Sequence, residues 1–227
     1  MNSNKRISRS AGVLIILGII SGILSIVPSV ESGDILREVF PNRAQVLTGA
    51  IFQFLLVPIY IGFSLLLYQV LSKYNKTLSL GFVGFRIAAG VFQLLGIILL
   101  PIFILISEKY LAHPTSEVIF FETISEVLML TRDLINHLGV ILATGLGNLI
   151  LYYILYKGKF IPVWLSFWGV IGNVFIILAS FLLLFELIEV VSIEYGVITI
   201  PLVFQEIVLA IWLLVKGLNL ELTDEKF

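Results

Sequence analysis

The chain has 227 residues, of which 59% are hydrophobic and 13% charged, with a formal net charge of −1 and no cysteine. Soluble domains run nearer half apolar and a quarter charged, so the fitting solvent is a bilayer. The near-neutral charge and scattered basic residues give no hint of a nucleic-acid surface, and the missing thiols exclude disulfides, thiolate metal sites and a Cys nucleophile.

Lys5, Arg6 and Arg9 precede the first apolar run, Ala11–Val30. A run of about 20 residues crosses the hydrocarbon core as helix, whereas a secretory h-region stops at about 7–15, so this is a span and not a signal peptide. Inside it, Gly18-Ile-Ile-Ser-Gly22 is a small-xxx-small pattern that permits close helix packing. Further runs of span length follow at Val46–Leu71, Leu80–Ile106, Leu134–Tyr156, Ile161–Phe185 and Val197–Val215. The period-two alternation of a membrane β-barrel is absent. The expected fold is therefore all-α and integral to the membrane: one six-transmembrane-helix bundle making a single domain of residues 1–227. Pro58, Pro101 and Pro201 fall inside spans, where each frees a carbonyl and can kink its helix, while Pro162 suits a helix start.

Orientation follows from Lys and Arg. With the N-terminus inside, the cytoplasmic segments hold Lys5, Arg6, Arg9, Lys73, Lys76, Lys157, Lys159, Lys216 and Lys226, and the outer ones Arg37, Arg43, Lys109 and Arg132. The bias predicts a multi-pass plasma-membrane protein with both termini cytoplasmic, N-in/C-in. Acidic residues from Glu31 to Glu194 gather on the outer side, as a cation-collecting surface or simply as a solvated face.

The largest extramembrane piece is Ser107–Asp133. Pro114-Thr115 with Glu117 reads as a helix start. After it Ile124, Val127 and Leu128 share one side, and Glu122, Ser125 and Glu126 the other. This predicts an outer amphipathic helix on the surface or capping the bundle, or else a prolongation of the fourth span.

Charges at membrane depth normally face a partner or a cavity. Arg86 in the third span and Glu206 in the sixth lie deepest, and they can pair if those spans are neighbours. Such a pair is structural, or Arg86 snorkels to the inner surface while Glu206 stays protonated, or the two are the heart of a substrate or proton site. The fourth span carries a polar stripe of Asp133, Asn136, His137, Thr144, Gly147 and Asn148. Asp133 and His137, four apart, suit a carboxylate–imidazole pair that could couple proton movement, or else a polar packing face. The candidate buried polar site is thus Arg86, Glu206, Asp133, His137 and Asn148.

No catalytic residue is assigned. There is no His-Glu-x-x-His, Gly-x-Ser-x-Gly or P-loop, and two intramembrane histidines for a bis-His haem are lacking. No cofactor and no metal are expected.

Ser64-Leu-Leu-Leu-Tyr-Gln-Val-Leu-Ser-Lys73 echoes Asn148-Leu-Ile-Leu-Tyr-Tyr-Ile-Leu-Tyr-Lys157, each ending a span before a tight turn. Spans two–three and four–five then form a parallel hairpin repeat, or the match reflects Leu-rich composition alone. These hairpins also carry a family resemblance. Ser8-Arg-Ser-Ala-Gly-Val-Leu, Leu67-Tyr-Gln-Val-Leu-Ser-Lys-Tyr-Asn-Lys-Thr-Leu with Phe85-Arg86, and Leu151-Tyr-Tyr-Ile-Leu-Tyr-Lys-Gly-Lys-Phe-Ile-Pro162 with Gly169 resemble the bacterial membrane family termed domain of unknown function (DUF) 4386. The resemblance covers nearly the whole chain. It implies a bacterial plasma-membrane protein and brings no reaction with it.

The expected function is binding or transport of a small solute, ion or lipid, with the lipid bilayer as surroundings and no nucleic-acid partner. One rival is a membrane-embedded enzyme acting on lipid through Asp133, His137 and Glu206. The other is a non-catalytic partner or stress-related subunit whose buried charges are structural.

Overall fold

The structure, a computed structural model, describes residues 3–112, 118–190 and 192–219. The expected helix start at Pro114-Thr115 with Glu117, and Lys226, lie outside the described residues. Helix α1 (Ser3–Leu24) leads to two short helices, α2 (Pro28–Glu31) and α3 (Ile35–Glu38). Long helices α4 (Arg43–Leu71) and α5 (Lys76–Ala112) follow. Helix α6 (Val118–Asp133) passes through a π-helical segment (Leu134–Val140) into α7 (Ile141–Lys157), and α8 (Val163–Leu184) and α9 (Ile193–Val215) complete the described order. No strand occurs among the described residues.

Six helical stretches are long and apolar enough to cross a membrane, the fourth of them running unbroken over Val118–Lys157. They close into a ring in chain order. Helix α1 packs on α4, α4 on α5, α5 on α7, α7 on α8, α8 on α9, and α9 returns to α1. Helices α5 and α9 therefore stand across the ring from one another, so the third and sixth spans are not neighbours.

The turns α4–α5 and α7–α8, with Lys73, Lys76, Lys157 and Lys159, lie at one end of the ring. The Leu218 N–H donates to Ser8 Oγ at 3.1 Å and the Asn219 N–H to the Phe160 carbonyl at 2.8 Å, so both terminal segments meet there too. We call this the basic end. Leu67, Leu71, Phe82, Leu155, Phe160 and Leu213 pack behind it. Val27, Val30, Val39, Val46, Leu100 and Phe103 form a second core at the opposite end.

Polarity is distributed as a bilayer demands. Phe54, Val91, Ile98, Phe175 and Phe204 point outward, while Gln53, Arg86, Asn148, Asn173 and Gln205 are buried. Between helices in lipid, burying apolar surface supplies little drive, so packing and polar contacts hold the ring. Pro58, Pro101 and Pro201 all lie on the exposed faces of their helices.

Several boundaries differ from the sequence reading. Helix α1 stops at Leu24 instead of Val30, because Pro28 disfavours helix in the residue before it and opens α2 at its first position. The segment after it is built, not loose: Ser107 of α5 receives the Phe40 N–H at 2.9 Å and donates to the Leu36 carbonyl at 2.8 Å, strapping α3 to the ring. Of the two readings of Val118–Asp133, prolongation of the fourth span is the one formed, with α6 continuing through the π-helical segment into α7. Helix α5 is 37 residues long, which at about 1.5 Å per residue gives roughly 55 Å against a hydrocarbon core of about 30 Å. It and α6 pack side by side beyond what the bilayer needs.

Gly18 and Gly22 do not make a close helix crossing. A Cβ at Gly18 would stand 3.5 Å from Ile59, and one at Gly22 would meet nothing within 4 Å.

Candidate functional site

Arg86, Asn148, Asn173, Glu206 and Tyr60 each lie about nine to eleven residues from the basic end of their helices, or about 15 Å at the helical rise. Five helices thus bring polar groups to one level near mid-depth. A charge here is stable only if the ring replaces the water it has lost.

For Arg86, 5% exposed, the replacement is aromatic and amide. Its guanidinium carbon lies 5.4 Å from the ring centres of Tyr60 and Phe63 and 5.6 Å from that of Phe82. Cation–π attraction gains in strength where water is excluded. One terminal nitrogen donates to Asn148 Oδ1. The Asn148 amide donates in turn to Asn173 Oδ1 at 3.0 Å, and Asn173 to the Gly169 carbonyl at 2.7 Å. This chain ties α5 to α7 and α7 to α8. The Arg86 Nε has no partner.

A second polar link runs beside it. The Tyr152 hydroxyl donates to Gln205 Oε1 at 2.8 Å, and the Gln205 amide to the Leu165 carbonyl at 3.4 Å. The Tyr152 ring lies directly over Gly169, where a Cβ would overlap it.

Between these links is a cavity of about 130 Å³, lined by Tyr60, Arg86, Thr144, Asn148, Tyr152 and Glu206, with Leu14, Ile15 and Gly18 of α1 as its apolar side. Arg86 and Glu206 face this space together but form no ion pair, as α5 and α9 stand across the ring and the guanidinium is engaged by Asn148. The direct pairing anticipated from their depth is not made. The Thr144 hydroxyl is buried without a partner.

Asp133 and His137 belong elsewhere. They line a different cavity of about 630 Å³ toward the opposite end, with Glu31, Ser180, Glu186 and Glu189. They do not bond to each other. His137 Nδ1 lies 3.1 Å from the Tyr195 hydroxyl, and the two rings meet edge to face at 5.6 Å. The physical reason is the π-helical segment, which starts at Leu134: bonding i to i+5 widens the turn and removes the i,i+4 alignment the pair needs. Beside them, buried Arg132 pairs with Glu31 at 3.0 Å, linking α6 to α2.

The structure therefore groups Arg86, Asn148 and Glu206, and separates Asp133 with His137 from them. Sequence reasoning did not place Tyr60, Phe63 and Phe82 around Arg86, nor Asn173 and Gln205 in the interior. A usable signal existed for Asn173. It is the single amide in the apolar stretch that forms α8, where an intramembrane amide calls for a partner.

No curated protein and no solved structure matches this chain. The family model described as domain of unknown function (DUF4386) matches residues 10–217, and the chain belongs to that family.

Proposed function

We propose that this chain binds a small polar solute in the mid-depth cavity and carries it across a bacterial plasma membrane. The observation that carries the reading is that Arg86 and Glu206 open on one cavity without bonding to each other, so both retain capacity for a third molecule. Lining groups drawn from five helices of the ring support it as well, because relative movement of those helices changes access to the space between them. The rival acid–base reading needs Asp133, His137 and Glu206 to converge, whereas they line two separate cavities.

Gly18 supplies the test. It lines the cavity from α1 and carries no side chain, so Gly18→Leu fills the space while every charge and hydrogen bond stays in place. Proteoliposomes should be assayed with labelled organic acids, amino acids and polyols. Uptake of at least one of them is expected in the parent protein, and its loss in Gly18→Leu at unchanged melting temperature. Equal uptake by the two proteins would contradict the reading.

The basic end is the cytoplasmic one in this account, by the positive-inside bias. Since the chain has no cysteine, single cysteines at Lys73 and Lys159 are clean reporters. They should react with a membrane-impermeant thiol reagent only in inverted vesicles. Reaction in intact cells would reverse the orientation.

A further inference from the structure

We propose that the mid-depth cavity is built for a small monocarboxylate that enters with one proton, its carboxylate seated on Arg86 and the proton on Glu206. The proposal rests on the reading of this cavity as the solute site.

Size comes first. A space of about 130 Å³ corresponds to roughly four waters at about 30 Å³ each, so the occupant has only a few heavy atoms.

The balance of donors and acceptors then selects its charge. The amide oxygens at this level each already accept one hydrogen bond, Asn148 Oδ1 from Arg86, Asn173 Oδ1 from Asn148, and Gln205 Oε1 from Tyr152. What remains is rich in donors. Arg86 engages a single N–H on Asn148, the Thr144 hydroxyl is buried without a partner, and the Tyr60 hydroxyl forms no hydrogen bond. A planar guanidinium fork matches the two oxygens of a carboxylate. An ammonium group, by contrast, would find Glu206 as the one anionic acceptor on this wall, with the Arg86 cation facing it. The short carbon tail of the acid would lie on Leu14 and Ile15.

Charge fixes the stoichiometry. We take Glu206 as ionised when the cavity is empty, its charge offset by the Arg86 cation that faces it across the space. A monoanion entering alone would leave one net negative charge in a low-dielectric interior, which is costly. A proton taken up by Glu206 restores neutrality, so anion and proton travel together. Few groups compete for that proton. Arg86, Tyr60 and Tyr152 face Glu206 across the cavity. Helix α8 has no ionisable side chain, and Lys5, Arg6 and Arg9 of α1 sit at the basic end.

The experiment uses the full chain in proteoliposomes with labelled lactate, with alanine as the zwitterionic control, glycerol as the neutral one, and protein-free liposomes for leak. An inward proton gradient is expected to raise lactate uptake at least tenfold over the same vesicles without it, with no such response for alanine or glycerol. In Glu206→Gln that ratio should fall to one while the melting temperature holds, and Glu206→Asp should keep a ratio above one. Lactate uptake indifferent to the gradient, or a Glu206→Gln protein that still responds to it, overturns the proposal. If Gly18→Leu-sensitive uptake is found for alanine or glycerol and not for lactate, the monocarboxylate assignment fails and the solute site stands. If no tested solute is taken up, both fall.

Discussion

Arg86→Met is expected to weaken the fold by about 2–3 kcal/mol, and Glu206→Gln by less than about 1 kcal/mol, in a denaturant titration in mixed micelles. The first substitution leaves Asn148 Oδ1 unmatched in the interior and takes the cation from among three rings. Losing a hydrogen bond to a charged group costs about 1.5–3 kcal/mol, and each cation–π contact adds about 0.5–2 kcal/mol. Relief of the guanidinium's own desolvation offsets part of that sum. Glu206 has no hydrogen bond to lose. The double substitution Arg86→Met with Glu206→Leu separates this account from direct pairing. Because the two charges face one another across the cavity without contact, only part of the cost should be recovered, whereas a direct buried ion pair would show marked recovery when both ends become apolar.

Gly169→Ala should destabilise by about 2–4 kcal/mol, a large effect for one methyl group. Its Cβ would overlap the Tyr152 ring at the α7–α8 crossing. The ring cannot swing aside freely, because its hydroxyl holds Gln205, which holds the Leu165 carbonyl. Overpacking alone costs about 1–3 kcal/mol, and a broken hydrogen bond adds about 1 kcal/mol. Gly169→Ala placed in a Tyr152→Leu background should cost less than in the parent, since the smaller side chain clears the crossing. Equal costs in the two backgrounds would show that the glycine matters for some other reason.

These two cases mark where the sequence was legible. Six spans could be read because length and apolarity are local, and a bilayer punishes any departure from them. The depth of Arg86 and Glu206 was legible for the same reason. Their relation was not, since it depends on the ring order that puts α9 against α1 and α8 instead of α5. Asp133 and His137 mislead because four-residue spacing assumes an α-helix, and nothing in Leu-Ile-Asn-His-Leu-Gly-Val announces the π-helical turn that breaks it. Asn173 is a single amide in the apolar stretch of α8, where an intramembrane amide calls for a partner. Its partner lies 25 residues away in sequence, which is why only the fold reveals it.

A binding and transport site at mid-depth requires that small polar molecules reach the cavity. The chain has no cysteine, so Thr144→Cys places a single small thiol on the cavity wall with little change in volume. Ser166→Cys gives a matched control at a fully buried position outside that wall. In membrane vesicles, a small hydrophilic thiol reagent should modify Thr144→Cys at least tenfold faster than Ser166→Cys, and lactate should slow the reaction. A Thr144→Cys thiol as unreactive as that of Ser166→Cys would mean that the cavity is sealed, and would contradict a binding and transport site there.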